Sequence, residues 1–288
     1  MKIKTIKKIN KCICTTMGVF LLLGGFLAYE DTALSISEHT IKNEKIPKVF
    51  NDFKIIQISD FHNTKNKLLT DQIVIRLLKE KPDAIFITGD FVDANTPDIE
   101  ASVNFLKQIK DIAPIYYIPG NHEGHLIETE YLTLKNNLLA NDVFVLENEL
   151  ITIKRDGEQI NIIGVLDPIF SNATQSNKAQ KMRININKIE YDDDLFTILL
   201  SHRPELINVY SDYDIDLVFS GHAHGGQIRV PFVGGLYAPG QGKLPKLTSG
   251  IHKDDDTTMV ISRGIGNSTF PFRINNHPEI VIVNLGSE

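Results

Sequence analysis

Five short apolar runs in this sequence each give way abruptly to Asp, His or Asn, and this repeated ending limits the folds open to the chain. The run 53–59 (FKIIQIS) leads into Asp60-Phe61-His62, and 84–88 (AIFIT) into Gly89-Asp90. The run 115–118 (IYYI) leads through Pro119 into Gly120-Asn121-His122-Glu123. The run 195–200 (LFTILL) precedes Ser201-His202, and 217–219 (LVF) precedes Gly221-His222-Ala223-His224-Gly225-Gly226. Short Ile-rich runs bounded by turn residues read as buried strands. In α/β sheets, ligands collect beyond the carboxyl ends of strands. Five endings spread over about 165 residues of sequence can therefore converge on one site. Glycines beside Asp90, Asn121 and His222 allow the sharp turns and close approaches that convergence needs.

Helical patterns fill the gaps between these strands. Residues 68–80 read as a helix ending before Pro82, and 126–139 as another. Thr96-Pro97 read as N-cap and first residue of a helix running to about Ile112. Alternating strands and helices predict α/β architecture with largely parallel strands in this half. The second half is richer in strands. Segments 150–153 and 159–163 flank Arg155-Asp156-Gly157 as a hairpin, 172–194 read as a helix plus a loop, and strands at 259–262 and 279–284 follow. No repeat or linker divides the region after residue 50, so 51–288 is expected to be one catalytic domain.

Oxygen and imidazole donors without thiolate suit Mn, Fe or Zn. The candidate metal ligands are Asp60, His62, Asp90, Asn121, His202, His222 and His224. They exceed the needs of one ion and match a two-metal site bridged by one carboxylate. Taken singly, Asp60 and His62 would be solvated turn residues and Gly120-Asn121 a plain turn. His202, before Arg203-Pro204, would start a helix. Only their order along the chain favours the metal reading. His125, His39, His252 and His277 lie in polar contexts and read as surface residues. Arg229, Arg263 and Arg273 have the fork geometry that grips phosphate, but structural ion pairing is the commoner use.

The ordered set D-x-H, G-D, G-N-H-E, a lone His and G-H-x-H resembles the calcineurin-like metallophosphoesterase superfamily, from about Phe53 onward. The runs HGGQIRVPFVGGLYAP and SRGIGNSTFPFRINNHPEI resemble its YkuE/YaeI-like, membrane-associated or exported bacterial phosphodiesterase subgroup. The resemblance implies a β-sandwich flanked by helices. It implies one metal held by Asp60, His62, Asp90 and His224, and another by Asp90, Asn121, His202 and His222, with Asp90 bridging. It implies that His122 is the catalytic residue, stabilising phosphoryl charge or protonating the leaving group of an in-line attack by a metal-activated hydroxide. No ligand position is missing. One departure narrows the chemistry: the serine/threonine phosphatases of the superfamily read GDxVDRG, whereas Ala94 stands here at the arginine position. A phosphoprotein phosphatase is thereby disfavoured.

Charge divides the chain. Residues 1–11 carry five lysines and no acid, so of the formal net charge of −6 the remainder holds −6 − 5 = −11. Residues 12–29 carry no charge, which is the grammar of a signal or signal anchor. The expectation is a basic cytoplasmic tail (1–11), a transmembrane or signal-anchor segment (12–29), a linker or first edge segment (30–50), and an outward-facing catalytic domain. An uncleaved anchor is preferred, although Ala33-Leu34-Ser35 offers a weak cleavage site that would make the domain secreted. The two cysteines, Cys12 and Cys14, exclude a disulfide scaffold and a thiolate zinc cluster. The acidic balance argues against a nucleic-acid partner. Membrane position would bring small phosphate esters and lipid- or wall-linked phosphates within reach. The sequence thus reads as a binuclear phosphoesterase, a phosphodiesterase or pyrophosphatase, at the outer face of a membrane. The competing reading is a metal-stabilised envelope binding or scaffold protein without turnover.

Overall fold

The computed structural model describes residues 2–268 and 270–288, with side chains from Cys14 onward. It opens on helix α1 (Lys2–Glu30), followed by β1 (Ser35–Asn43), β2 (Lys54–Ile58), α2 (Lys67–Glu80), β3 (Ala84–Thr88), α3 (Ile99–Ile109), β4 (Ile115–Ile118), α4 (Glu128–Leu139) and β5 (Phe144–Val145). The second half comprises β6 (Glu149–Arg155), β7 (Glu158–Gly164), α5 (Lys178–Ile186), β8 (Thr197–Leu200), α6 (Ile207–Tyr210) and β9 (Leu217–Ser220). Two small hairpins follow, β10 (Arg229–Val230) with β11 (Gly234–Gly235) and β12 (Tyr237–Ala238) with β13 (Gly242–Lys243). Strands β14 (Gly250–Asp254), β15 (Thr257–Ile261) and β16 (Glu279–Ser287) complete the chain.

The long strands form two six-stranded sheets, ordered β1-β16-β2-β3-β4-β5 and β14-β15-β9-β8-β7-β6. Strands β2 to β5 run parallel, as do β7, β8, β9 and β15. Side chains alternate across each sheet. In β2, Ile55 faces the other sheet while Ile56 and Ile58 face the helices. The inter-sheet core joins Ile55, Phe86 and Val283 to Ile198, Leu200 and Phe219. Outside it, Leu69, Ile73 and Leu77 of α2 and Phe105, Leu106 and Ile109 of α3 cover the first sheet. Met182 and Ile186 of α5 with Val209 and Tyr210 of α6 cover the second. The result is two mixed sheets face to face with helices on both outer sides.

Several local readings change. Helix α3 starts at Ile99, because the Asp98 carboxylate, not Thr96, accepts the Ala101 amide hydrogen at 3.0 Å as N-cap. The stretch read as a linker or first edge segment supplies β1, an edge strand paired in parallel with β16. The hairpin at Asp156-Gly157 forms as read, both residues having positive φ (49° and 90°). The expected transmembrane segment lies inside α1; among the described residues no helix is long and apolar enough to cross a membrane, and residues 12 and 13 of that segment lie outside the described side chains. The side chains of residues 1–13, including the expected basic tail, lie outside the description.

Phe86 joins the two sheets through an edge-to-face contact with Phe219 (5.1 Å) and makes another with Tyr116 of its own sheet (5.7 Å). Phe86→Ala should lower unfolding free energy by about 3–5 kcal/mol in denaturant titration. A loss below about 1 kcal/mol would show that the sheets do not depend on this contact.

Candidate metal centre

Parallel pairing puts the carboxyl ends of β2, β3, β4, β8 and β9 at one edge of the double sheet. All seven candidate ligands lie in the turns that leave these strands. The turns are sharp and mutually bonded. The Asp60 amide donates to the Gly89 carbonyl (3.0 Å), the His62 amide to the Asp90 carbonyl (2.9 Å) and the Gly221 amide to the His202 carbonyl (3.2 Å). Gly89 has φ +90°, and a Cβ there would lie 2.5 Å from His202 Nδ1 and 2.7 Å from Gly120 Cα. Only glycine lets these loops approach so closely.

Three groups of ligand atoms result. Two share Asp90: Asp60, His62, Asp90 and His224 in one, Asp90, His202 and His222 in the other; the third brings His62, Asp93 and His122 together. In the first, His62 Nε2 and His224 Nε2 face each other at 3.2 Å, and His224 Nε2 is 3.3 Å from Asp60 Oδ1. In the second, His202 Nε2 is 3.1 Å from Asp90 Oδ2. His202 Nδ1 lies 2.8 Å from the Thr88 carbonyl, so it carries the hydrogen and leaves Nε2 free to bind. Asn121 lines the same cleft as Asp90, and its buried Oδ1 has no hydrogen-bond partner among the described residues.

Electrostatics point the same way. Burial raises the Asp60 carboxyl to about 6, with His202 opposing the rise. Burial would raise Asp90 too, but His202, His122 and His62 hold it well below the usual carboxylate range. Burial lowers His62 to about 4 and pushes His222 and His224 well down, Arg203 adding to the effect on His222. Neutral imidazoles are the form that binds metal. His202 goes the other way, to about 10, because Asp90 outweighs its burial. A carboxylate that draws a proton onto its neighbour so strongly calls for a cation beside it. Converging lone pairs, an orphaned amide oxygen and two buried carboxylates fit a pair of divalent ions.

His122 stands at the cleft wall, outside the two groups that share Asp90 and in the third with His62 and Asp93. Its Nδ1 accepts the Ala94 amide hydrogen at 3.0 Å, so the ring hydrogen sits on Nε2, which is 3.4 Å from Ser268 Oγ. Asp93 Oδ1 lies 3.3 Å from the same Nδ1. Asp93 lies three residues after Asp90, and no sequence pattern by itself assigns it this place. Glu123 likewise closes the G-N-H-E motif without an evident task. The fold buries it completely, where it accepts hydrogen bonds from the amides of Asp90 (2.9 Å), Gly120 (2.7 Å) and Val92 (2.9 Å). It ties the second ligand turn to the third. Burial and the Asp90 charge push its acid up to about 7, against three amide donors that favour the ionised form. Arg203 makes a two-pronged pair with buried Asp167 (2.6 and 3.1 Å) and sets Nη1 3.3 Å from His222 Nε2. Sequence gave no signal for that pair, whose members are 36 residues apart. The three phosphate-grip arginines are otherwise engaged: Arg263 with Glu279, Arg229 with the Gly225 carbonyl, and Arg273 with the carbonyls of Arg263 and Gly266.

Comparison with known proteins agrees with this geometry. Residues 53–226 match the family model described as calcineurin-like phosphoesterase. The chain is 32% identical to the metallophosphoesterase YkuE of Bacillus subtilis over 271 residues, covering 91% of this chain and 90% of that protein. It is 27% identical to the phosphodiesterase YaeI of Escherichia coli over 237 residues, covering 81% and 82%. Among solved structures, phosphopantetheinyl hydrolase PptH of Mycobacterium tuberculosis aligns with 72% of this chain and 88% of its own, at TM-score 0.47 and 14% identity. The match over 53–226 contains every candidate metal ligand and His122, and the chain belongs to the calcineurin-like phosphoesterase family.

Proposed function

We propose that this protein hydrolyses phosphodiesters at a binuclear metal site on the carboxyl edge of its sheets. The observation that carries this reading is the pair of ligand groups meeting at Asp90, with His122 beside them on the wall of a cleft of about 520 Å3. Asp60, His62, Asp90 and His224 would hold one ion, and Asp90, Asn121, His202 and His222 the other. Their oxygen and nitrogen donors suit Mn, Fe or Zn. Bound there, such ions supply Lewis-acid polarisation and an activated water at neutral pH.

The chain's own residues supply the rest. The His222 amide donates to both Asp60 oxygens (3.0 and 3.1 Å) and the His122 amide to Asp90 Oδ1 (2.8 Å), fixing both carboxylates in place. The Ala94 amide holds His122 with its Nε2 hydrogen as donor, suited to a hydrogen bond on a phosphoryl oxygen; protonating the departing alkoxide would require the imidazolium form. Ala94 itself offers no grip on a phosphate monoester dianion, which supports a diester substrate. The similarity to the phosphodiesterase YaeI supports it too. Placement outside the cytoplasm rests on the N-terminal sequence, five lysines followed by an uncharged stretch.

Full-length protein with added Mn should turn over an aryl phosphodiester such as bis-p-nitrophenyl phosphate, and chelation should stop it. Asp90→Asn should abolish turnover and lower bound metal, measured by elemental analysis on the same sample. Activity indifferent to both treatments would overturn the reading. His122→Gln should reduce kcat by about 10²–10⁴ with metal content unchanged. Bound metal with no turnover on any phosphoester would instead favour the binding-protein alternative.

A further inference from the structure

The cleft has two unlike walls. One carries Asp90, Asn121, His122, His222 and His224; the other is made by Ile228, Leu236, Tyr237, Pro239 and Phe270. Nothing in phosphoryl transfer to water needs this second, apolar wall. It comes from the two small hairpins and the loop that precedes β16. Beyond it the hairpin tips carry their apolar residues into solvent. Phe232 is 108% exposed, and Val230, Val233, Tyr237 and Leu244 in and beside the same two hairpins are exposed as well. Exposed apolar residues gathered on neighbouring hairpins mark an interaction surface.

Charge marks the same surface. Residues 217–247 contain Arg229, Lys243 and Lys246 and no Asp or Glu, a local +3 that leaves −6 − 3 = −9 for the rest of the chain. Lys243 and Lys246 are exposed beside Leu244. The hairpins are also joined to the N-terminal helix. The Arg229 amide donates to the Ile274 carbonyl (3.0 Å), and Asn276 Nδ2 to the Gln227 carbonyl (2.9 Å). The same loop is held to the end of α1 by the Arg273 amide on Asp31 Oδ1 (2.9 Å), the Asn276 amide on Glu30 Oε2 (3.2 Å), and the ring contact of Tyr29 with His277. Helix α1 in turn exposes Phe20, Leu21, Leu22 and Phe26.

We infer that this rim docks on an anionic lipid surface and that the cleft takes its phosphoester from an amphiphile lying in that surface, with the apolar wall receiving the start of its hydrocarbon part. Lysines interleaved with exposed aromatic and aliphatic residues suit anionic lipid, whereas protein interfaces are depleted in lysine. Crossing the membrane is not required; the contact is interfacial. The docking half stands on the rim alone, and the substrate half rests on the phosphodiesterase reading above.

The chain contains no tryptophan, so Phe232→Trp places a single fluorophore at the tip, where it is distinguishable from any contact made by α1. In the full chain, vesicles of phosphatidylglycerol and phosphatidylcholine should shift its emission to the blue, and brominated acyl chains should quench it. Pure phosphatidylcholine should do so weakly. Adding Lys243→Glu and Lys246→Glu should raise the lipid concentration for half-maximal shift at least about tenfold. An emission unmoved by anionic vesicles overturns the docking proposal, even where the protein co-sediments with them. A shift indifferent to lipid charge and to the lysine reversals overturns it as well. Aryl diester turnover on the same sample separates the two readings: a vesicle response without turnover leaves docking standing and removes the substrate assignment.

Discussion

Two buried carboxylates on adjacent strands set the terms for the rest of the structure. Asp60 and Asp90 follow β2 and β3, and both are essentially without solvent. Like charges this close in a poorly solvated site are mutually unfavourable, and each loses its hydration as well. The fold answers with directed hydrogen: backbone amides of His222 and His122 on the carboxylate oxygens, and His202 against Asp90. It surrounds them with imidazoles that burial keeps neutral, ready to share a cation rather than to be one. The remaining deficit of positive charge is the physical case for metal.

Holding ligands in this way strains the chain. Asp60, His62, Asp90, His222 and His224 have φ of 50°, 47°, 51°, 65° and 45°. The left-handed region costs a non-glycine residue roughly 1–2 kcal/mol. Glycine would remove that cost and also the ligand, so the strain stays where the side chain is needed. Strand pairing behind each turn and the three amides gathered by Glu123 over-determine the geometry.

The sequence made the site more legible than its supports. The strand endings were readable because a ligand and the glycine beside it are neighbours in the chain, and the strands behind them are unbroken apolar runs. Helix α3 was placed too early because Thr96-Pro97 carries a helix-start pattern, while Asp98 makes the hydrogen bond. The edge strand β1 is ambiguous because 35–43 is mostly polar, with Ile36 exposed and only Ile41 buried, and its ladder depends on a strand more than 200 residues away. Asp167 with Arg203, and Asp93 with His122, pair across distances along the chain that no local pattern encodes.

Sheet order also imposes a sequence of events on folding. Strand β16 lies between β1 and β2, and among the described residues it is the strand that β1 pairs with. During synthesis β2, β3 and β4 can assemble with their helices as soon as they emerge, since their contacts are local. The N-terminal strand has no ladder to join until residues 279–287 are made. Among the described residues, the helix ahead of it is therefore held, for nearly the whole of translation, only by the bonds from Asn66 and Gln72 to residues 31 and 32 and not by the ladder of β1.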